Sequence, residues 1–220
     1  EIYTLSLHDA LPIWSARSDM QKFFFFDLET TGLDFDTCAI HQIAGEIVVG
    51  GKTVESFNLR LRPHDGAVID NEALEVAGVT REQIMAYPDN QKVYRELLSM
   101  LAKYVDKYDK KDKFFLVGYN NAAFDNKFLR AFFECNNDKY FGSWFWSNSI
   151  DVMVVASLYT MKVRDKMENF KQSTVAKFLG IQVEEEKLHD AMYDIYLCRE
   201  ILKKAVSGMK FIGELLHGKL

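Results

Sequence analysis

The hydrophobic pattern of the chain begins with strands. Residues 23–26 are four consecutive phenylalanines, a run too short and too aromatic for a helix, so it predicts a buried strand. Residues 39–50 and 52–62 alternate apolar and polar side chains on either side of Gly50 and Gly51, which predicts a β-hairpin with a Gly-Gly turn. Three strands in a row predict an antiparallel meander at the start of the fold.

Beyond the hairpin, the spacing of apolar residues changes to that of helices. Residues 70–84 predict a helix interrupted at Gly78, and residues 89–108 carry an apolar stripe at helical spacing. Residues 114–119 predict another buried strand, which a helix within residues 120–136 follows. Further helices are predicted at residues 152–161, 173–179 and 188–202, with a charged connection over 162–171.

Two acids lie at the end of the first strand. Asp27 and Glu29 are separated by one residue, so in a strand their side chains point to the same face. Carboxylates held side by side repel each other unless a positive charge lies between them. Hard divalent cations prefer such oxygen ligands. This stretch alone is consistent with a metal site and equally with a strand end that carries two solvated acids.

Three more residues extend this chemistry. Asp125 lies in the first turn of the helix within residues 120–136, where either the helix dipole or a bound metal would favour an acid. That strand-to-helix junction is expected at the edge of the sheet where Asp27 emerges. His189 and Asp194 are five residues apart, so the imidazole could lie over a site that Asp194 helps to form. Asp151 is expected to cap the helix at 152–161 and could also support the site from behind.

Composition narrows the class of protein. A length of 220 residues with 48% hydrophobic residues predicts one folded domain with a sizeable core. The formal net charge of −5 requires any nucleic-acid contact to come from a local patch. No apolar run reaches membrane-spanning length. Three widely spaced cysteines, Cys38, Cys135 and Cys198, form neither a disulfide framework nor a zinc motif, and they predict a reducing, cytoplasmic environment.

The two ends of the chain are set apart from the expected domain. Residues 1–13, EIYTLSLHDALPI, resemble the in-frame translation of a widely used sequencing adapter, and we interpret residues 1–19 as an artefactual or disordered segment. Met20 is the expected true start, and residues 20–206 are the expected domain. Residues 207–220 are expected to be a tail whose apolar face docks on its own domain or, less favoured, on a polymerase.

Three motifs, in order, carry a resemblance to a known family. The stretches FDLETTGL from Phe26, YNNAAFDNKFL from Tyr119 and HDAMYD from His189 resemble the motifs of the DEDDh 3′→5′ exonucleases. That family includes the proofreading epsilon subunit of bacterial DNA polymerase III, RNase T and oligoribonuclease. The resemblance covers about residues 22–204. In one departure, Asn120 stands where many relatives carry histidine, which is expected to alter substrate contacts more than chemistry.

The resemblance implies both a fold and a site. The implied fold is the ribonuclease H-like α/β fold, with a mixed central sheet, three leading antiparallel strands and helices on both faces. The implied cofactors are two divalent cations, Mg²⁺ or Mn²⁺, with His189 as the general base. The implied metal ligands, which are also catalytic, are Asp27, Glu29, Asp125 and Asp194. The implied substrate contacts are Leu28, Thr30, Thr31, Gly32, Ile43, Asn121 and Phe124, of which Ile43 is equally well explained by packing.

Three functions are compatible with these features. The expected one is metal-dependent removal of nucleoside monophosphates from a single-stranded or frayed 3′ end of DNA, as in proofreading or repair. A DNA polymerase is the candidate protein partner. RNA 3′-end trimming is the alternative, because the chemistry is shared and only recognition of the 2′-hydroxyl differs. A silent binding module is disfavoured because all five active-site residues are present. Trp144 and Trp146 could stack on bases, but they are predicted to anchor a loop to the core.

Overall fold

A five-stranded mixed sheet forms the centre of the molecule in the computed structural model, which describes residues 20–209. Its strands are β1 (Lys22–Thr30), β2 (Ile40–Val49), β3 (Lys52–Arg60), β4 (Phe115–Gly118) and β5 (Ile150–Asp151). Their spatial order is β3-β2-β1-β4-β5, with β1–β2 and β2–β3 antiparallel and β1–β4 and β4–β5 parallel. The predicted hairpin and the three leading antiparallel strands are confirmed.

Apart from a short helix at Phe141–Trp144, within the stretch that was predicted to be a loop, the helices follow the strands in the order that the apolar spacing predicts. They are α1 (Asn71–Val76), α2 (Arg81–Met85), α3 (Asn90–Leu101), α4 (Asp125–Cys135), α5 (Phe141–Trp144), α6 (Val152–Thr160), α7 (Gln172–Phe178) and α8 (Ala191–Gly208). Gly78, between α1 and α2, has a φ of 65°, and Gly180, after α7, has a φ of 72°. Both therefore adopt the left-handed conformation that lets a glycine end a helix.

β1 separates two hydrophobic cores. Phe24 and Phe26 pack into a core with residues of α3, α4 and α5, whereas Phe25 packs into a second core with α6, α7 and α8. Because successive side chains of a strand alternate between faces, Asp27 and Glu29 continue the row of Phe25 toward the side of α6 to α8. Helices therefore cover both faces of the sheet, as expected, and the two acids emerge where the second core ends.

Three further elements differ from the sequence-based expectation. α3 ends at Leu101 rather than near residue 108. Val105 is nevertheless buried in the core. The apolar stripe therefore extends past Leu101 because the chain after the helix packs against the core, although the helix itself has ended. Met161–Lys166 form a 3₁₀ helix where only a charged connection was predicted. β1 runs through Thr30, one residue beyond the acids that were expected at its end.

The aromatic loop is anchored as predicted. Trp144 is 3% exposed and belongs to the core beneath α3 and α4. Trp146 is half-buried, with its ring centroid 6.0 Å from that of Phe115. Trp144 therefore has no accessible ring face on which a base could stack, and packing accounts for its position.

Residues 1–19, which include the adapter-like residues 1–13, and residues 210–220 of the tail lie outside the described part of the chain, so the predictions made for them are untested there. Within residues 20–209, no helix combines the length and the apolar character needed to cross a membrane.

Candidate active site

The end of β1 supplies the first two acids of the predicted site. Asp27 and Glu29 are both half-buried, and Glu29 is paired with Gln42 of β2. The next pair in the ladder is Thr30 with Ile40, so β2 contributes one extra residue, His41, as a β-bulge. A bulge increases the local twist of a strand pair, and here it lies directly beside the site.

The third acid begins α4. Asp125 is 7% exposed, although it is the first residue of its helix. The turn before it, residues 120–124, enters the helix with Asn120 in the left-handed conformation, at a φ of 61°. The backbone N–H of Asn126 donates to the carbonyl of Asn121 at 2.9 Å. The local structure therefore turns the Asp125 carboxylate inward toward the end of β1.

The fourth acid and the histidine come from the start of α8. Asp194 lies in the first turn of the helix, and Asp190 caps it by accepting from the backbone N–H of Tyr193 at 3.0 Å. His189 is exposed and has a φ of 69°, a conformation that non-glycine residues rarely adopt. Such a backbone is maintained only where the surroundings determine it, and it is found at functional sites.

The charges of the four acids influence one another's pKa. Burial raises the pKa of Asp27 well above its ordinary value, and the charges of Asp125, Glu29 and Asp194 raise it further. Burial also raises the pKa of Glu29 to about 7, with Asp194, Asp125 and Asp190 adding to the effect. We call Asp27, Glu29, Asp125 and Asp194 the acidic cluster.

The other two members of the acidic cluster show opposing influences. Burial raises the pKa of Asp125 to about 7, against hydrogen bonds from the backbone of Asp125 itself and of Leu28. Burial raises the pKa of Asp194 to about 6, against the charge and a backbone hydrogen bond of His189. The charge of His189 therefore offsets part of the effect of burial on Asp194. The place of the imidazole over the site that Asp194 helps to form stays a prediction.

The acidic cluster fits hard divalent cations in charge and in donor chemistry. Within residues 20–209, however, no three histidine, cysteine, aspartate or glutamate side chains are close enough together to hold a metal ion as they stand. The carboxylates repel one another, and this repulsion contributes to the raised pKa values of Asp27 and Glu29.

The predicted substrate contacts after Glu29 form a tightly held turn. Thr31 is fully buried; its hydroxyl donates to the carbonyl of Val68 at 2.6 Å and accepts from the backbone N–H of Ala39 at 2.9 Å. The Thr30 hydroxyl donates to the carbonyl of Gly32 at 2.8 Å. A Cβ on Gly32 would lie 2.6 Å from the Cys38 sulfur, so this turn has no room for a larger residue.

The remaining predicted contacts differ in exposure. Leu28 is 6% exposed and Ile43 is fully buried, both in the core. Asn121 is fully buried, and its amide nitrogen donates to the side-chain oxygen of Asn126 at 3.1 Å. Phe124 is half-buried, with its ring centroid 4.8 Å from that of Phe128. The structure brings these residues near the acidic cluster, but their contact with substrate stays a prediction.

Two residues near the acidic cluster were not recognised from the sequence. Cys198 is buried one helical turn after Asp194, and burial raises the pKa of its thiol well above the ordinary value, with Asp27 the next cause. Asp190 raises the pKa of Glu29 as well as capping α8. The i, i+4 spacing of Asp194 and Cys198 was the available signal, because it places both on one helix face.

Comparison with known proteins relates the chain to polymerases and nucleases. It is 24% identical over 193 residues to the PolC-type DNA polymerase III of Mycoplasmopsis pulmonis, across 88% of this chain and 12% of that protein. It is 25% identical over 204 residues to the PolC-type DNA polymerase III of Oceanobacillus iheyensis, across 90% of this chain and 12% of that protein. The chain thus spans 12% of the length of these curated relatives.

The fold comparison agrees. The structure of E. coli exonuclease I in complex with a dT13 oligonucleotide matches 90% of this chain and 43% of that chain, with a TM-score of 0.69 and 20% identity. This likeness confirms the ribonuclease H-like fold expected from the motifs. The exonuclease family RNase_T matches residues 24–202, a range that contains the whole acidic cluster and His189. The chain belongs to this exonuclease family.

Proposed function

We propose that the chain is a metal-dependent 3′→5′ exonuclease that removes nucleoside monophosphates from a single-stranded or frayed 3′ end of DNA. The observation that carries the proposal is the acidic cluster: four carboxylates from β1, α4 and α8 converge within the region that matches the exonuclease family. A group of acids that raise one another's pKa has no stabilising role in a fold, which supports a role in binding cations.

DNA is favoured over RNA as substrate by the character of the relatives. The curated relatives are DNA polymerases, and the solved exonuclease I complex holds a dT13 oligonucleotide. A further solved structure of the E. coli enzyme is a zinc-bound complex with single-stranded DNA. The chain corresponds to a small part of the length of these polymerases. We therefore also propose that it can act together with a DNA polymerase.

We assign the members of the acidic cluster to hold two divalent cations, Mg²⁺ or Mn²⁺. Bound there, the cations would supply positive charge that stabilises the attacking and leaving oxygens during phosphodiester hydrolysis. His189 is assigned as the general base. Its exposed position beside Asp194 leaves the imidazole free to reach a water molecule at the 3′-terminal phosphate.

The reaction assigned to the chain balances as a hydrolysis. His189 accepts a proton from a water molecule while the water oxygen bonds to the phosphorus of the last nucleotide. The bond from that phosphorus to the 3′ oxygen of the preceding nucleotide breaks, and this oxygen takes up a proton to become the new 3′ hydroxyl. The product is a nucleoside 5′-monophosphate. Thr31 and Gly32, in the turn that hydrogen bonds join to Val68 and Ala39, are assigned to shape the pocket of the terminal nucleotide.

The proposal is tested by digestion of 5′-labelled single-stranded DNA and RNA of the same sequence. We expect stepwise shortening of DNA from the 3′ end with Mg²⁺ or Mn²⁺ and none with EDTA. Asp27→Ala should abolish shortening, whereas Glu96→Gln, an exposed acid on α3, should leave it unchanged. The Asp27 variant excludes a contaminating nuclease as the source of activity.

Two outcomes would change the assignment. Faster shortening of RNA than of DNA under the same conditions would make the chain an RNA-trimming enzyme with the same site. No shortening of either strand, with the wild-type protein folded and Mn²⁺ present, would contradict the proposed activity of the chain by itself. The same assay with a PolC-type polymerase added would then show whether a partner is required.

A further inference from the structure

Asp151 is a buried acid that lies outside the acidic cluster. It is the last residue of β5 and is 8% exposed. β5 pairs with β4 through Gly118 and Asp151, which places Asp151 beside the strand that leads to the turn at residues 120–124. Burial of a carboxylate is costly unless hydrogen bonds compensate for the lost water, so its partners indicate its role.

Both oxygens of the Asp151 carboxylate accept hydrogen bonds from backbone N–H groups. Oδ1 accepts from Asn120 at 2.9 Å and from Met153 at 3.0 Å, and Oδ2 accepts from Ala122 at 3.3 Å. The bond from Met153 is an ordinary helix cap for α6. The other two bonds reach a segment about 30 residues earlier in the chain, and a cap does not need them.

The segment that Asp151 holds is under backbone strain. Asn120 has a φ of 61°, a left-handed conformation that is uncommon outside glycine and persists when the surroundings impose it. The bond from the Asn120 N–H to Asp151 is such a constraint. The turn then continues through hydrogen bonds from Ala123 to the carbonyl of Asn120 and from Asn126 to that of Asn121.

This turn leads directly into Asp125. The bond from Ala122 to Asp151 is three residues before Asp125, and the bond from Asn126 closes the turn one residue after it. A change in the turn would therefore move the Asp125 carboxylate relative to Asp27 and Glu29. The charge of Asp151 also acts on Asp125, since it contributes to the raised pKa of that acid.

We propose that Asp151 is a positioning residue: its carboxylate joins β5 to the turn at residues 120–124 and so sets the place of Asp125 in the acidic cluster. The inference rests on the proposed function, because it concerns the cation-binding role of Asp125. Residues that orient metal ligands from behind change metal affinity or activity 10- to 100-fold when they are replaced.

The test uses Asp151→Asn in the full chain. The asparagine oxygen can still accept from Met153 and Asn120, but its NH₂ group would face the N–H of Ala122, so this one contact is lost together with the charge. The matched control is Asp89→Asn. Asp89 caps α3 by accepting from Gln91 and Lys92, and it lies on the exposed surface.

Mn²⁺ alone is the probe for binding, followed by electron paramagnetic resonance in the absence of DNA. We expect Asp151→Asn to weaken Mn²⁺ binding about 10-fold or more and to lower kcat with little change in KM for single-stranded DNA. Asp89→Asn should change neither quantity. If Asp151 only capped α6, Asp151→Asn would have a lower melting temperature, but its Mn²⁺ affinity, kcat and KM would equal those of the wild type.

Each outcome separates this inference from the proposed function. A wild-type chain that neither binds Mn²⁺ nor shortens DNA contradicts the proposed function. A wild-type chain that does both, with equal Mn²⁺ affinity and kcat in Asp151→Asn, overturns the role of Asp151 alone. Hydrogen exchange on the wild-type protein needs no variant: the amides of Asn120 and Ala122 should be protected without metal, and rapid exchange at both would also overturn the inference.

Discussion

Replacement of Glu29 by glutamine should stabilise the metal-free protein. Glu29 is half-buried, and its pKa is raised from 4.5 to about 7 by burial and by the charges of Asp194 and Asp125. The carboxylate of the folded protein therefore holds its proton more tightly than that of the unfolded chain. Glutamine has nearly the same shape but no charge, so Glu29→Gln removes the repulsion and much of the cost of desolvation.

The size of the effect follows from the raised pKa. A rise from 4.5 to about 7 corresponds to about 3 kcal/mol when the group is ionised, at 1.36 kcal/mol per pKa unit. Because the side chain is partly exposed, water screens some of this energy, and we expect a gain of about 1–3 kcal/mol in the free energy of unfolding at pH 8. A shift of that size is easily measured against a typical stability of about 5–15 kcal/mol.

The gain should depend on pH in a defined direction. A carboxyl whose pKa is raised in the folded protein contributes its full stability below the unfolded pKa and loses that contribution as pH rises through the folded pKa. The wild-type protein should therefore lose stability relative to Glu29→Gln between pH 4.5 and about 7. At pH 5 the expected advantage of the variant is only about 1 kcal/mol or less.

Urea unfolding followed by circular dichroism, in EDTA at pH 5 and pH 8, measures the difference. Glu96→Gln, an exposed acid on α3, serves as the control and should change stability by less than about 0.5 kcal/mol at either pH. Added Mg²⁺ should stabilise the wild-type protein more than Glu29→Gln, because the wild type offers one more carboxylate. Equal stability of wild type and Glu29→Gln in EDTA at pH 8 would refute the picture of mutually repelling acids.

Three further predictions concern single residues. His189→Ala should lower kcat about 10²–10⁴-fold while Mn²⁺ binding is kept, as measured by single-turnover digestion and Mn²⁺ titration; unchanged turnover would exclude His189 as the base. His41 is fully buried, and neither ring nitrogen has a hydrogen-bond partner. Burial lowers the pKa of His41 to about 4, so its contribution to stability is present above pH 6.5. About 3 kcal/mol of stability is lost as pH falls toward 4. His41→Leu should remove that loss in acid unfolding curves compared with the wild type, and parallel curves would contradict the assignment. Gly45→Ala should destabilise the fold by more than about 1 kcal/mol in urea, because its Cβ would lie 2.3 Å from Phe57 and 2.7 Å from the carbonyl of Phe25; a neutral result would mean that β2 can shift.

Local pattern was sufficient for the elements that have one clear period. The phenylalanines at residues 23–26, the Gly-Gly turn and the apolar faces of α4 and α8 each identified an element and the face it buries. The pattern did not distinguish a helix from a packed turn after Leu101, since Val105 is buried by tertiary contacts at a position that also fits helical spacing. Apolar spacing reports burial, and burial can be reached without continuing a helix.

The sequence by itself determined which residues are candidates for the proposed chemistry: Asp27 and Glu29 on one strand face, Asp125 at a strand-to-helix junction, and His189 with Asp194 at a helix start. Only the tertiary structure decided how these residues act on one another. The bulge at His41, the left-handed Asn120 and the carboxylate of Asp151 depend on contacts between segments far apart in the chain. Spacing along a chain specifies which face a side chain takes, whereas distances, burial and pKa values arise only when separate elements pack together.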